Sequence, residues 1–167
     1  SNQTTNEDTA KVVSLSATDV DGDSLTYSVT AAATGLSTSV SGSSLTITPD
    51  ANWYGSGSIT VQVSDGSLTD SQAFTLTVNS VNDAPVLAAI GNQTLAEDGT
   101  LNVSLSASDA DGDSLSYSIT SASSTLGASI SGSTLSITPD ADYNGSGSIT
   151  VTIKKGGSTS SMSGTWG

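Results

Sequence analysis

The chain contains no cysteine, no histidine and no arginine among its 167 residues. Without cysteine there are no disulfides or thiolate zinc sites, and without histidine there is no Ser-His-Asp triad. Only three lysines stand against 16 acidic residues, so nucleic acid and anionic membrane surfaces are unfavourable partners. The longest apolar run, Val86 to Ile90, is far too short to span a membrane. Composition therefore predicts no nucleic-acid binding and no membrane insertion.

An internal repeat is the strongest organisational signal. Aligning Asp19 with Asp109 gives an offset of 109 − 19 = 90 residues, and residues 2–63 and 92–153 then share 38 identities over 62 positions. A period of this size is typical of a small sandwich domain. The sequence therefore predicts two copies of one module.

The repeat places a first module at residues 1–80 and a second at 81–153, whose first residues, 81–85, form a linker. The first copy lacks a counterpart of residues 81–90, so we expect the chain to start partway into a module of a longer array. Residues 154–167 are rich in glycine and serine and do not alternate. We expect an irregular tail there or, as an alternative, a weak last strand, whose absence would open a sheet edge.

Short segments of alternating apolar and polar residues predict strands and no helix. In the first module these segments are Lys11–Ala17, Leu25–Val29, Val40–Ile47, Ile59–Val63 and Phe74–Val78. Turn-forming residues separate them, and Pro49 ends the third because it cannot donate to a strand ladder. The pattern predicts an all-β fold of two tandem Ig-like sandwiches with about seven strands each, the second lacking a clear last strand.

Two acidic loops, Asp19-Val20-Asp21-Gly22-Asp23 and Asp109-Ala110-Asp111-Gly112-Asp113, each place three carboxylates in five residues. A hard divalent cation relieves the repulsion between such carboxylates, and calcium prefers six to eight oxygen ligands. An EF-hand is excluded because the glycine is fourth rather than sixth and the twelfth residue is Thr30. We predict calcium loops. The alternative is a solvated turn, or a third aspartate, Asp23 or Asp113, that only caps the turn.

With these loops the chain resembles tandem bacterial cadherin-like repeats over nearly all of its length. That family has an acid near the first strand, an Asp-x-Asp loop after the second, an acidic loop before the sixth, an Asp closing the sixth, and an Asx-rich linker. The counterparts here are, in that order, Glu7 and Glu97; Asp19, Asp21, Asp109 and Asp111; Asp50, Asp140 and Asp142; Asp65; and Asn82 and Asp83. Ala84 stands where a second Asn is usual, and Lys155 stands where Asp65 predicts an acid.

The resemblance implies that all of these residues, with Asp23 and Asp113, are calcium ligands. Ig-like topology puts the loops after strands two and six at one pole and the first-strand acid at the other. One calcium joint is therefore expected from the lower pole of the first module (Glu7, Asp50), the linker (Asn82, Asp83) and the upper pole of the second (Asp109, Asp111, Asp113). Lys154 and Lys155 leave the number of ions in this joint open. Asp8 and Asp98 are expected to face solvent.

In function, the resemblance implies a calcium-rigidified spacer or adhesion module of a secreted or surface-bound bacterial protein, with neighbouring repeats and cell-surface ligands as partners. The alternative is a carbohydrate-binding accessory module of a polysaccharide-degrading protein, whose candidate platform residues are Trp53, Tyr54, Tyr143 and Trp166. Core packing is the other interpretation of Trp53 and Tyr54. No enzyme is expected, because the acids are packed within single loops and lack a substrate groove.

Overall fold

The chain forms two compact units, Ser1–Val81 and Asn82–Gly167. A computed structural model describes residues 1–156 and the backbone of residues 158–166. Each unit is treated below by itself.

Unit 1 contains seven strands arranged in two sheets. They are β1 (Gln3–Asn6), β2 (Lys11–Ser14), β3 (Thr26–Ala32), β4 (Leu36–Ser41), β5 (Ser44–Pro49), β6 (Gly55–Ser64) and β7 (Thr69–Asn79). One sheet has the order β1-β7-β6-β3 and the other β2-β5-β4. Strand β1, which the sequence pattern did not predict, pairs in parallel with the end of β7, and the other pairs are antiparallel.

The core of unit 1 is built from alternate residues of both sheets. Leu45 and Ile47 of β5 pack with Ile59 of β6 and Leu76 of β7, and all four side chains are fully buried. The period of two in each strand sends these residues to one face and the intervening serines and threonines to the other. Burial of this apolar face holds the two sheets together.

Unit 2 contains eight strand segments within its described residues. They are β8 (Val86–Leu87), β9 (Leu101–Ser104), β10 (Ala107–Ser108), β11 (Ser116–Ala122), β12 (Ala128–Ser131), β13 (Thr134–Ile137), β14 (Gly147–Lys155) and β15 (Ser158–Trp166), with a 3₁₀ turn at Ser124–Leu126. The sheets are β11-β14-β15, β12-β13-β9 and β10-β8. Leu135, Ile149 and Ile153 are buried in the core.

The expectation of an irregular segment at residues 154–167 is corrected by the structure. Strand β14 continues to Lys155, and residues 158–166 form β15, which pairs antiparallel with β14 in an unbroken register. Backbone N–H and C=O groups make these bonds, so a segment with few apolar side chains still completes the sheet. Gly157 and Gly167 lie outside the described residues.

The prediction of an all-β chain with two tandem Ig-like sandwiches is confirmed, and unit 1 has the seven strands expected. Pro49 is the last residue of β5, as its missing donor predicts. Among residues 1–156 and 158–166, no helix is long and apolar enough to cross a membrane.

Candidate metal sites

The acidic loop of unit 1 folds around its first aspartate. Asp19 Oδ1 accepts hydrogen bonds from the backbone N–H groups of Asp21 (2.9 Å) and Asp23 (3.0 Å). Gly22 adopts a left-handed conformation with φ of 82°, which glycine enters without a steric penalty. The side chains of Asp21 and Asp23 are exposed. The Asp-x-Asp-Gly-Asp sequence therefore forms its turn through hydrogen bonds within the loop, and the carboxylates of Asp21 and Asp23 face solvent.

The acidic loop of unit 2 has the same fold. Asp109 Oδ1 accepts hydrogen bonds from the N–H groups of Asp111 (3.1 Å) and Asp113 (3.2 Å), and Gly112 has a φ of 76°. The carboxylate of Asp109 is shielded from solvent, with 1 % of its side chain exposed. The two copies of the loop share one backbone turn and differ in what surrounds the carboxylates.

The ammonium group of Lys155 lies among the three carboxylates of the unit 2 loop. Its Nζ is 2.6 Å from Asp111 Oδ2, 3.0 Å from Asp109 Oδ1 and 3.0 Å from Asp113 Oδ2, and its side chain is 2 % exposed. Lys155 ends β14 and continues the buried positions Val151 and Ile153 of that strand. Strand β14 thus places the ammonium of Lys155 between the carboxylates of Asp109, Asp111 and Asp113.

This arrangement shifts the pKa values of its members. Burial alone would lower the pKa of Lys155, but the hydrogen bonds to Asp111, Asp109 and Asp113 outweigh it and raise that pKa. The Lys155 ammonium, followed by the N–H of Asp83, holds the pKa of Asp111 below its ordinary value of 3.8. Both groups are therefore charged at neutral pH.

A pH titration checks this pairing. Because the pKa of Asp111 is lower in the folded chain, its contribution to stability is present above pH 3.8 and disappears as the pH falls through the folded value. Lys155 has a raised pKa, so its contribution is complete below pH 10.5 and is lost only at higher pH. We expect Lys155→Met to raise the pKa of Asp111 in a carboxyl-carbon NMR titration. The exposed neighbour provides the control: Lys154→Met should leave that pKa unchanged, and an unchanged value in both variants would contradict the pairing.

Asp65 occupies in unit 1 the position that Lys155 occupies in unit 2 (155 − 90 = 65). Its Oδ1 accepts hydrogen bonds from the N–H groups of Ser67 and Leu68, both at 2.7 Å. These two bonds, that of Leu68 first, lower the pKa of Asp65. Asp65 and Asp19 line one shallow concavity of about 180 Å³. Unit 1 therefore has a fixed carboxylate where unit 2 has its ammonium.

The first-strand acid Glu7 is buried at the end of β1, with 4 % of the residue exposed. Its Oε1 accepts a short hydrogen bond from the N–H of Val81. Its own N–H donates to the carbonyl of Asn79 at 2.9 Å. Glu7 thus ties the last residue of unit 1 back to its first strand.

The linker residues of the predicted calcium joint begin unit 2. Asn82 is exposed, and its side-chain amide donates to the carbonyl of Asp83 at 3.3 Å. The N–H of Asp83 donates to Asp111 Oδ2 at 2.8 Å. The linker is therefore hydrogen-bonded to the acidic loop of its own unit.

Asp8 and Asp98 are exposed, as expected, and the structure adds a role that the sequence reasoning missed. Both have left-handed backbones, with φ of 55° and 57°. Asp8 Oδ1 accepts the N–H of Asn52 at 3.0 Å, and Asp98 Oδ1 accepts the N–H of Asp142 at 3.2 Å. Each aspartate fixes the loop before a central strand of its unit, β6 in unit 1 and β14 in unit 2. The conserved spacing of 44 residues within the repeat was the available signal.

The remaining predicted ligands lie on exposed loops. Asp50, Asp140, Asp142 and Glu97 are all exposed. The carbonyls of Asp50 and Asp140 accept the N–H groups of Trp53 and Tyr143 and so close equivalent turns. Glu97 lines a cavity of about 290 Å³ in unit 2 together with Tyr143. Metal ligation by these four residues stays a prediction.

The aromatic residues divide between packing and exposure. Trp53 packs against the core of unit 1, and Tyr143 packs against that of unit 2 and donates its hydroxyl to the carbonyl of Ser146 at 2.9 Å. Tyr54 is exposed, so the core-packing interpretation holds for Trp53 and is wrong for Tyr54. The side chain of Trp166 lies outside the described residues. Two of the four candidate platform residues, Trp53 and Tyr143, thus pack against the hydrophobic cores.

Comparison with known proteins identifies the modules. The sequence profile of the bacterial Ig domain matches residues 1–77 and again residues 82–165. The chain belongs to the bacterial Ig domain family. The sequence predicted tandem bacterial cadherin-like repeats, and the part of that prediction that concerns tandem bacterial Ig-like modules is thereby confirmed. Bacterial Ig domains are typical of extracellular proteins and are typically non-catalytic. No curated protein matches the chain significantly.

Solved structures similar to this pair of bacterial Ig domains include an enzyme and two cadherins. Human protocadherin-24 EC1-2 is 18 % identical with a TM-score of 0.49, over 92 % of this chain and 85 % of that one. Mouse protocadherin-24 EC1-3 is 14 % identical with a TM-score of 0.49, over 85 % and 57 %. The endo-fucoidan hydrolase MfFcnA4 of glycoside hydrolase family 107 is 22 % identical with a TM-score of 0.41, over 99 % and 26 %. The chain thus spans about a quarter of that hydrolase.

Proposed function

We propose that this chain is a non-enzymatic, calcium-binding spacer and adhesion segment of an extracellular bacterial protein, and that unit 1 binds calcium with Asp19, Asp21, Asp23 and Asp65. The observation that carries the proposal is the position of the Lys155 ammonium in unit 2. It marks a place in this fold where a cation is held by the three carboxylates of the acidic loop. The same loop in unit 1 has a carboxylate, not an ammonium, at the equivalent position.

The charge of the unit 1 pole favours a divalent ion. Asp19 and Asp65 line one shallow concavity, and the exposed carboxylates of Asp21 and Asp23 belong to the same loop as Asp19. Four carboxylates repel one another unless a cation lies between them. Calcium accepts carboxylates and water at six to eight positions, so four aspartates and solvent make a suitable donor set.

The affinity expected for this set is weak. Asp21 and Asp23 are exposed, so water competes for the ion, and sites of extracellular modules have a Kd of roughly 10⁻⁴ to 10⁻³ M. Calcium is present at such concentrations outside cells. The remaining predicted ligands (Glu7, Asp50, Asn82, Asp83, Glu97, Asp140 and Asp142), and the calcium joint in which several of them would take part, stay predictions.

Calorimetric titration of the full chain with calcium tests the unit 1 site. Asp65→Asn keeps an oxygen that can accept from Ser67 and Leu68 but removes one of four charges, so we expect calcium affinity to fall by about tenfold or more. Asp98→Asn removes the same charge from a turn of unit 2 and provides the matched control. A wild-type chain that takes up no calcium at 10 mM, or equal binding by both variants, would count against the proposal.

The spacer role is tested by small-angle scattering of the chain in calcium and in excess chelator. The spacer role depends on calcium at the predicted joint residues Glu7, Asp50, Asn82 and Asp83, whose acidic groups repel one another without an ion, so chelation should increase the radius of gyration and the flexibility of the particle. The measurement is repeated in magnesium, which prefers a tighter octahedral geometry. Superimposable curves in calcium and chelator would contradict a calcium-rigidified spacer.

A further inference from the structure

The two acidic loops have nearly the same sequence and the same backbone hydrogen bonds, yet the residue that faces them differs. Asp65 of unit 1 is replaced by Lys155 in unit 2. Lys155 bonds to each of the three loop carboxylates at 2.6 to 3.0 Å. The well-preserved part of the repeat ends at residues 63 and 153, and just beyond it a negative group in unit 1 corresponds to a positive one in unit 2.

The burial of Lys155 shows what holds it there. An ammonium taken out of water is strongly unfavourable unless ionised partners surround it. Lys155 is 2 % exposed and Asp109 is 1 % exposed, so this pair is well removed from solvent. Lys154, the preceding residue, is exposed. The alternation of β14 therefore sends one of two adjacent lysines into the acidic loop.

One buried carboxylate oxygen of this loop does not contact the Lys155 ammonium. Asp109 Oδ2 is buried and, among the described residues, accepts no hydrogen bond. The Lys155 ammonium donates hydrogen bonds to Asp109 Oδ1 and Asp111 Oδ2 and forms an ion pair with Asp113 Oδ2, so it contacts one oxygen of each carboxylate. A divalent cation, with its larger coordination number, could use the fourth oxygen that the ammonium leaves.

We propose that Lys155 is a built-in cation that replaces calcium in the acidic loop of unit 2, and that Asp at this position restores a calcium site. The loop of unit 2 then has a counter-charge at any calcium concentration, whereas that of unit 1 obtains one only from the ion. The inference rests on the proposed function only in taking calcium as the competing cation. In each unit, the residue at this one position then determines whether the acidic loop binds calcium.

The test follows the backbone amides of Gly22 and Gly112, the equivalent glycines of the two loops, by NMR during calcium titration of the full chain. In the wild-type chain, Gly22 should shift and Gly112 should not. In Lys155→Asp, Gly112 should also shift, with a half-saturation of roughly 10⁻⁴ to 10⁻³ M. Lys154→Asp adds the same charge one residue away on the exposed face, and should leave Gly112 silent.

A calcium-dependent shift of the Gly112 amide signal in the wild-type chain would overturn the inference. An unchanged Gly112 signal in a folded Lys155→Asp chain would overturn it as well. If Lys155→Asp folds at no calcium concentration, Lys155→Met decides, because it removes the ammonium without adding a charge; Gly112 must then respond to calcium, and silence overturns the inference. If Gly22 is silent in every variant while Gly112 responds in Lys155→Asp, the proposed unit 1 site fails and the inference stands.

Discussion

Replacement of Leu135 by alanine is expected to lower the unfolding free energy of unit 2 by about 2–5 kcal/mol. Leu135 lies in the middle strand β13 of its sheet and is completely buried among Ile137, Ile149 and Val151. Truncation removes apolar contacts and leaves a cavity that a rigid sandwich cannot fill. Because small domains are stable by only about 5–15 kcal/mol, this single change should bring unit 2 close to unfolding.

The measurement is urea unfolding followed by NMR, in which peaks of each unit are read separately. Leu45→Ala, the equivalent change in unit 1, should destabilise that unit by a similar amount and leave unit 2 unaffected. Val86→Ala lies in unit 2 at an exposed position and should change stability by less than about 0.5 kcal/mol. Equal destabilisation of both units by Leu135→Ala would contradict two separate cores.

Gly35→Ala is expected to destabilise unit 1 by about 2–4 kcal/mol, since two penalties act together. Gly35 has a φ of 86°, a conformation that alanine adopts only with strain, and its new Cβ would lie 2.4 Å from Trp53 Nε1. The indole ring packs on the core of unit 1 and cannot move away without opening that core. The expected result is a lower unfolding midpoint together with a changed tryptophan emission.

Gly42→Ala separates the two penalties. Gly42 has a φ of 57°, but a Cβ there meets nothing within 4 Å. Only backbone strain remains, for which about 1 kcal/mol is expected. If both glycine variants lose the same stability, the close packing of Trp53 on Gly35 is not what fixes this turn.

The fold could be predicted because its signals are local. The repeat identified the modules, and the alternation around Ile59 and Leu76 identified the sandwich strands that bury them. Strand β1 was missed, and β15 was predicted only as the alternative to an irregular tail, for a shared physical reason. Their side chains do not alternate clearly between apolar and polar, and pairing through the backbone leaves no mark on the sequence.

The acidic loops were equally visible, since Asp109 and its neighbours need only five consecutive residues to make their turn. The contact of the unit 2 loop with Lys155 could not be predicted from the sequence. Lys155 lies 46 residues beyond Asp109, and only the sheet shows that β14 delivers its side chain into the loop. The repeat aligned Lys155 with Asp65. Whether the lysine side chain faces inward depends on the register of β14, and a segment rich in glycine and serine does not reveal that register.

The comparison of the two units suggests how a repeat array can vary its response to calcium without changing its fold. The acidic loop keeps its hydrogen bonds through Asp19 and Asp109 in either case, so the turn does not depend on which cation is near. In our proposal, a single residue at the end of the central strand selects between a bound calcium ion and a lysine ammonium. Each unit has its own apolar core, although the residue at this position differs between the two units.

Anomalous diffraction from a crystal of the chain grown in calcium is the most direct test of this account. It predicts an ion peak within coordination distance of Asp19 and Asp65, and no such peak at the Asp109 loop, where Lys155 keeps its three carboxylates. A peak beside Asp109 with the Lys155 side chain turned away would contradict the account, and so would a unit 1 loop that binds no ion at 10 mM calcium.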